Sequence, residues 1–179
     1  FFPKGDRVKG LMELQTAAKK SIMLKAESSS FLSHIYINFE NNYQQASNFS
    51  MSLHELYPSN LEYLAVCIRN MLLVHKYDEA ENLISLSNNS TDNSYFRSQL
   101  EVFNGILQEK KYHNNLLAQK YYNQGINDLE VFGYYGNEYA AYGYFGLSRI
   151  SDFNGDRQNK KTFLKKDMYL ANYKKVNFD

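Results

Sequence analysis

The chain has one cysteine, Cys67, set in an apolar run, so an intramolecular disulfide is excluded and a buried thiol is expected. It has two prolines, Pro3 and Pro58, which leaves most of its length free to be helical. Tryptophan is absent. So is any apolar run long enough to span a bilayer, and no signal peptide is visible, so no transmembrane segment is predicted. Neither charge sign dominates: 20 basic and 19 acidic residues give a net +1. Non-specific nucleic-acid binding draws on a clear basic excess, so no nucleic-acid partner is expected.

Recognisable catalytic patterns are missing too. His34, His54, His75 and His113 never fall at i, i+3 or i+4 spacing, so no metal site is predicted. Cys67 lacks an exposed setting beside a base, as a nucleophile would need. No glycine-rich phosphate loop follows a strand pattern. Asp78-Glu79 sits at a predicted helix start, where the helix dipole favours carboxylates. Gly133/Gly136 reads as a helix break and Gly143/Gly146 as a close helix contact. The sequons at Asn48, Asn88 and Asn89 are discounted as chance matches in an Asn- and Ser-rich chain. No cofactor and no enzyme activity are expected.

What is present is helical periodicity and a repeat. With 179 residues, 44% hydrophobic and 22% charged, the chain is large enough for one domain with a substantial core. The 16 tyrosines and 12 phenylalanines suit gap-filling between stacked helices. Tyr43-Gln-Gln-Ala46 recurs 34 residues later as Tyr77-Asp-Glu-Ala80, and each opens an apolar run at helical spacing. A period of that length with helix–turn–helix content is the signature of a helical solenoid.

Taken in order, Asp6 caps a helix predicted from Arg7 to about Lys25, and Ser28-Ser-Ser30 caps the next. Helices follow over 43–57, ended by Pro58, then 61–74, 77–87 and 95–109. The next starts near Tyr112 and runs towards Phe132, and the last two span 137–150 and 157–171. Asn88 to Ser94 reads as a loop. The basic pairs Lys160-Lys161, Lys165-Lys166 and Lys174-Lys175 read as a solvated face.

These residues resemble the tetratricopeptide repeat family. The likeness lies in Leu32-Ser33, Tyr36, Tyr43, Ala46, Phe49 and Pro58, then in Tyr77 and Ala80. It continues more weakly in Gly105 and Tyr112, and in Phe145-Gly146 and Gly155-Asp156. The resemblance covers about Ser28 to Ala171. It implies an all-α fold, a right-handed α-α superhelix of about four antiparallel helix pairs plus an N-terminal helix. The expected parts are residues 1–27, the repeats 28–58, 59–93, 94–136 and 137–171, and a tail at 172–179. The Tyr/Asn-rich style and the opening Phe1-Phe2-Pro3-Lys4-Gly5-Asp6 also resemble exported repeat proteins of Bacteroidetes bacteria. With the start at Phe1 rather than Met, a soluble piece of a longer chain is expected; its compartment is left open, with export to the periplasm or outer membrane as the option this resemblance implies.

The family resemblance further implies a concave groove that binds a protein or peptide. Carried over, its groove positions are His34, Ile37 and Asn38, then Ala65, Arg69 and Leu72, and finally Leu147 and Ile150. The Lys/Asn clamp that some relatives use for a terminal carboxylate is absent at Ser30, His34, Ala65 and Arg69. Arg69 is the best polar groove candidate, although a solvated arginine is the plainer expectation. The expected function is a non-catalytic interaction scaffold, with a homodimer allowed. The alternatives are a cell-envelope module for a glycan or peptide, suggested by Tyr134, Tyr135, Tyr139 and Tyr142, or an accessory segment of a larger protein.

Overall fold

The structure, a computed structural model, describes residues 5–88, 92–171 and 178. Among these the chain is all-α, with successive helices packed in neighbouring pairs and no strand. The helices are α1 (Arg7–Lys20), α2 (Lys25–Asn38), α3 (Tyr43–Leu56), α4 (Leu61–Leu73), α5 (Tyr77–Asn88), α6 (Ser94–Lys110), α7 (Asn115–Leu129), α8 (Asn137–Phe153) and α9 (Arg157–Leu170). A 3-10 segment, Glu130–Gly136, joins α7 to α8. The chain divides into two compact units, residues 1–70 and 71–179, with the boundary inside α4. No described helix is long and apolar enough to cross a membrane.

In the first unit α1 packs on α2 and α2 on α3. Asp6 caps α1 by accepting from the Lys9 amide at 3.0 Å, as expected. Two boundaries differ from the sequence reading. The first helix ends at Lys20 because Ser21 is extended and its hydroxyl takes the Leu24 amide at 2.9 Å, a side-chain alternative to the helical bond. The second helix therefore starts at Lys25, and Ser28 and Ser29 are buried within it instead of capping it. The first helix is also tied to its neighbour by polar contacts. Gln15 donates to the Tyr36 hydroxyl at 2.7 Å, and Arg7 pairs with Glu40.

In the second unit α5 packs on α6, α6 on α7, and α8 against both α7 and α9. Four helices, α3, α5, α7 and α9, are entered by the same device. Two residues before each first helical residue stands a left-handed one: Asn41, His75, His113 or Gly155. The residue between is Asn42, Asn114 or Asp156 in three of the turns, and its side chain accepts an amide of the new helix. Asn42 and Asn114 close their turns onto the carbonyls of Tyr36 and Gln108, both six residues back. Lys76 and Asp156 reach only five back, to Met71 and Ser151. Turns one and three are therefore one residue longer than turns two and four.

This geometry corrects the third repeat. Its return helix begins at Asn115, not at Tyr112, which lies in the turn. The buried small residue is Ala118, the fourth of its helix, as Ala46 and Ala80 are of theirs. The period is not constant either, because the four return helices start at Tyr43, Tyr77, Asn115 and Arg157. The tail expected from residue 172 lies outside the described residues except for Phe178, as do positions 89–91 of the expected loop.

Aromatic side chains fill the spaces between helices in the second unit. Tyr139 meets Tyr95, Phe103 and Tyr142 edge-on, and Tyr142 meets Phe178 at 5.3 Å between ring centroids. The close contact expected of Gly143 and Gly146 is present, since a Cβ at either would press on α7.

Candidate functional site

The positions carried over from the family do not form an exposed surface. Ile37, Ala65, Leu72, Leu147 and Ile150 are each 2% exposed or less. Apolar residues at these A-helix positions pack into the core of their own unit, as their chemistry favours. Arg69 is neither solvated nor facing open space: it is 8% exposed, and its Nε donates to Asn70 Oδ1 at 3.1 Å. His34 and Asn38 are half-buried and contact each other within one turn of α2.

Arg69 instead joins a buried polar hub in the first unit. Asn70, fully buried in α4, donates to the Ser33 hydroxyl of α2 at 2.9 Å. It also donates to the Ser50 hydroxyl and the Ala46 carbonyl of α3, at 3.0 and 3.2 Å. The second unit has a hub of its own, which sequence reasoning missed. Tyr122 of α7, fully buried, donates to Glu109 of α6 at 2.7 Å, and Arg149 of α8 holds the same carboxylate with two bonds of 2.6 Å. Burial, then the Glu109 charge, push the Tyr122 hydroxyl well above its ordinary pKa. Both hubs serve packing.

The open site lies elsewhere in the second unit. A cavity of about 430 Å³ is bordered by the end of α7, the 3-10 segment, the start of α8 and the last turns of α9. Its floor is apolar: Ile126, Leu129, Ala140 and Leu170. Two glycines shape it. Gly133 adopts φ 53° and ψ −128°, a region other residues rarely enter. A Cβ at Gly136 would meet the Leu129 carbonyl oxygen at 2.5 Å, so only glycine lets the chain fold back over α7.

The rim is polar, with Glu130, Asn137, Lys165, Lys166 and the exposed Tyr169. Lys166 Nζ lies over the Tyr144 ring at 4.8 Å, and Tyr144 stacks on Phe163. An apolar floor under a rim with two lysines fits an apolar group attached to an anionic one. Sequence reading saw Gly133/Gly136 only as a break, and no sequence spacing shows that both lysines of the Lys165-Lys166 pair fall beside it.

A second concavity, of about 440 Å³, brings Glu101 and Asp128 together with Arg97. Burial, then Asp128, raise the Glu101 pKa. In the first unit an open groove follows one face of α1, past Val8 and Met12. No group of three or more His, Cys, Asp or Glu side chains that could hold a metal occurs among the described residues. Cys67 is fully buried, as expected. Of the four tyrosines suggested for a glycan, Tyr139 and Tyr142 are buried, whereas Tyr134 and Tyr135 are 69% and 79% exposed. Comparisons with protein-family models, curated proteins and solved structures find no match to this chain.

Proposed function

We propose that this chain is a non-catalytic protein–protein interaction scaffold of tetratricopeptide-like type. The observation that carries the reading is the open cavity beside α9, apolar at its floor and lysine-bearing at its rim. Support for the repeat type comes from Tyr43-Gln-Gln-Ala46 and Tyr77-Asp-Glu-Ala80, and from four return helices entered through a left-handed residue. A helical repeat offers a rigid surface on which a peptide side chain is held by shape. Burial of most A-helix positions favours the interhelical cavity as the binding place in this reading.

The test is affinity capture with the full chain, comparing wild type with Ala140→Phe, which fills the floor, and with Lys165→Glu on the rim. Far-UV circular dichroism checks that both variants keep their helix content. A partner captured by wild type and lost by both variants is the expected result. Capture by neither wild type nor variants rejects the scaffold reading. A second reading, a cell-envelope glycan module, keeps Tyr134 and Tyr135 as its support, and binding on a glycan array that is lost in Tyr134→Ala would favour it.

A further inference from the structure

We infer that α9 and the cavity together seat an acidic peptide segment that inserts one apolar side chain. This rests on the scaffold reading and supplies the chemistry of its partner. Arg157, Lys161, Lys165 and Tyr169 recur every four residues along α9, and all four are exposed. Residues four apart form a continuous ridge on a helix surface. The ridge ends at the cavity, because Lys165 and Tyr169 belong to its lining.

Among the described residues, no ion pair neutralises the charges on this ridge. Arg157, Lys161 and Lys165 form no ion pair among the described residues, whereas Lys160 is held by Asp152 at 2.8 Å. Lys166 is engaged by the Tyr144 ring. The one carboxylate on α9, Asp167, is 3% exposed and offers nothing to the surface. Among the described residues that line the cavity, Glu130 is the only carboxylate, against the two lysines Lys165 and Lys166. The whole chain carries +1, so this surplus of positive charge is a local property of α9.

Geometry then defines the occupant. Arg157 to Lys165 covers about 12 Å of helix axis, at ~1.5 Å per residue. An extended peptide covers that distance in about four residues, so a carboxylate at every second position meets each cation in turn. An aromatic or branched side chain just beyond them enters the cavity. Coulomb attraction along the ridge supplies encounter and orientation, and the apolar anchor supplies residence.

The experiment titrates the full chain with a fluorescein-labelled peptide of alternating Glu and Gly residues followed by one Phe, read by fluorescence anisotropy. Expected are saturable binding that weakens as salt rises, a loss of roughly tenfold in Lys161→Glu/Lys165→Glu, and a loss of roughly fivefold when the peptide's Phe becomes Gly. Ala140→Phe should reproduce the effect of removing the Phe and leave the salt dependence intact. The inference is overturned if the Lys-for-Glu peptide binds as well, if the charge-reversed variant binds the acidic peptide like wild type, or if no peptide binds. Tighter binding of polyuridylate or of phosphatidylglycerol vesicles overturns it in favour of another polyanion. If a cellular partner is still captured by the charge-reversed variant, the inference fails and the scaffold stands. If wild type captures none, the scaffold itself fails.

Discussion

Residues 1–70 and residues 71–179 each join three consecutive helices through a buried polar hub, and the two hubs are centred on different side chains, an amide in the first and a carboxylate in the second. In the first unit α2, α3 and α4 meet at Ser33, Ser50 and Asn70, which are uncharged, with the Arg69 guanidinium donating to Asn70 Oδ1. In the second, α6, α7 and α8 meet at Tyr122, Glu109 and Arg149, and two of these are ionic. The places in the repeat correspond. Ser50 and Tyr122 are both the eighth residue of their return helix, and Ser33 and Gly105 both stand ten residues before it. Arg69 and Arg149 each stand eight residues before theirs.

The difference is one of volume as much as charge. A Cβ at Gly105 would meet Tyr122 Cδ1 at 2.5 Å, and a Cβ at Gly146 would enter the other side of the ring. A large side chain on the central helix thus demands glycine on both neighbours, while serine at the same place leaves room for Asn70. Once the tyrosine fills the layer, its hydroxyl needs a buried acceptor, and a buried carboxylate in turn needs a cation. The buried carboxylate of the second hub follows from size.

The comparison breaks hardest at Glu109. Glu109→Ala leaves Arg149 and Tyr122 without their shared acceptor and should cost about 3–5 kcal/mol, read as a shift in urea midpoint. Replacing the ion pair as Glu109→Met/Arg149→Leu should recover part of that loss, since apolar isosteres of a buried pair are often neutral while the buried Tyr122 hydroxyl still lacks its acceptor. An equal loss in single and double variants would show that charge is not the issue. In the first hub, Asn70→Ala should cost about 2–3 kcal/mol, because two hydroxyls and a carbonyl lose their donor and Arg69 Nε loses that acceptor. A loss matching that of Glu109→Ala would erase the distinction between the hubs.

Smaller still is the packing effect. Gly146→Ala should cost about 1–2 kcal/mol, and most of this should vanish in a Tyr122→Leu background, where the ring is gone. Additive losses would show that Tyr122 does not set the requirement.

The smallest effects are those of pH, and they differ in sign between the units. His54, in the first, has its pKa lowered below the ordinary 6.5 by burial. The unfolded chain therefore binds more protons between the folded value and 6.5, and stability falls as pH drops through that window. Glu101, in the second, is raised above 4.5 by burial and then by Asp128. There the folded chain binds more protons, and stability falls as pH rises from 4.5 through the folded value. Unfolding across pH should lose the first slope in His54→Gln and the second in Glu101→Gln. A variant that keeps its slope would show that the assigned group is not the source.

Much of the fold was legible because helix periodicity and capping are local properties. Tyr43 and Tyr77 begin helices where the repeat placed them, and Pro58 follows α3 as expected. The third repeat was misread because Tyr112 imitates the motif three residues early. The informative signal was Asn114, a capping residue, with Ala118 four positions on. The start of α2 was missed because Ser28 has the composition of a cap, and only its burial shows that it lies inside the helix. The groove positions failed for a different reason. They were assigned by family register, and only packing shows that Ala65, Leu72 and Ile150 face inward.

By itself the sequence determined an all-α chain of repeated helix hairpins, a lone buried thiol, and no bilayer-spanning helix among the described residues. These follow from spacing and side-chain type, which act over a turn or two of helix. Tertiary structure alone decided that Glu109 and Arg149, forty residues apart, share a bond, and that Tyr122 sits between two glycines. It alone put Lys165 and Tyr169 beside a cavity floored by α7. Such pairings depend on which helix faces which, and in a repeat built from similar amphipathic segments many facings satisfy the same hydrophobic pattern. Only the mutual fit of large and small side chains selects one.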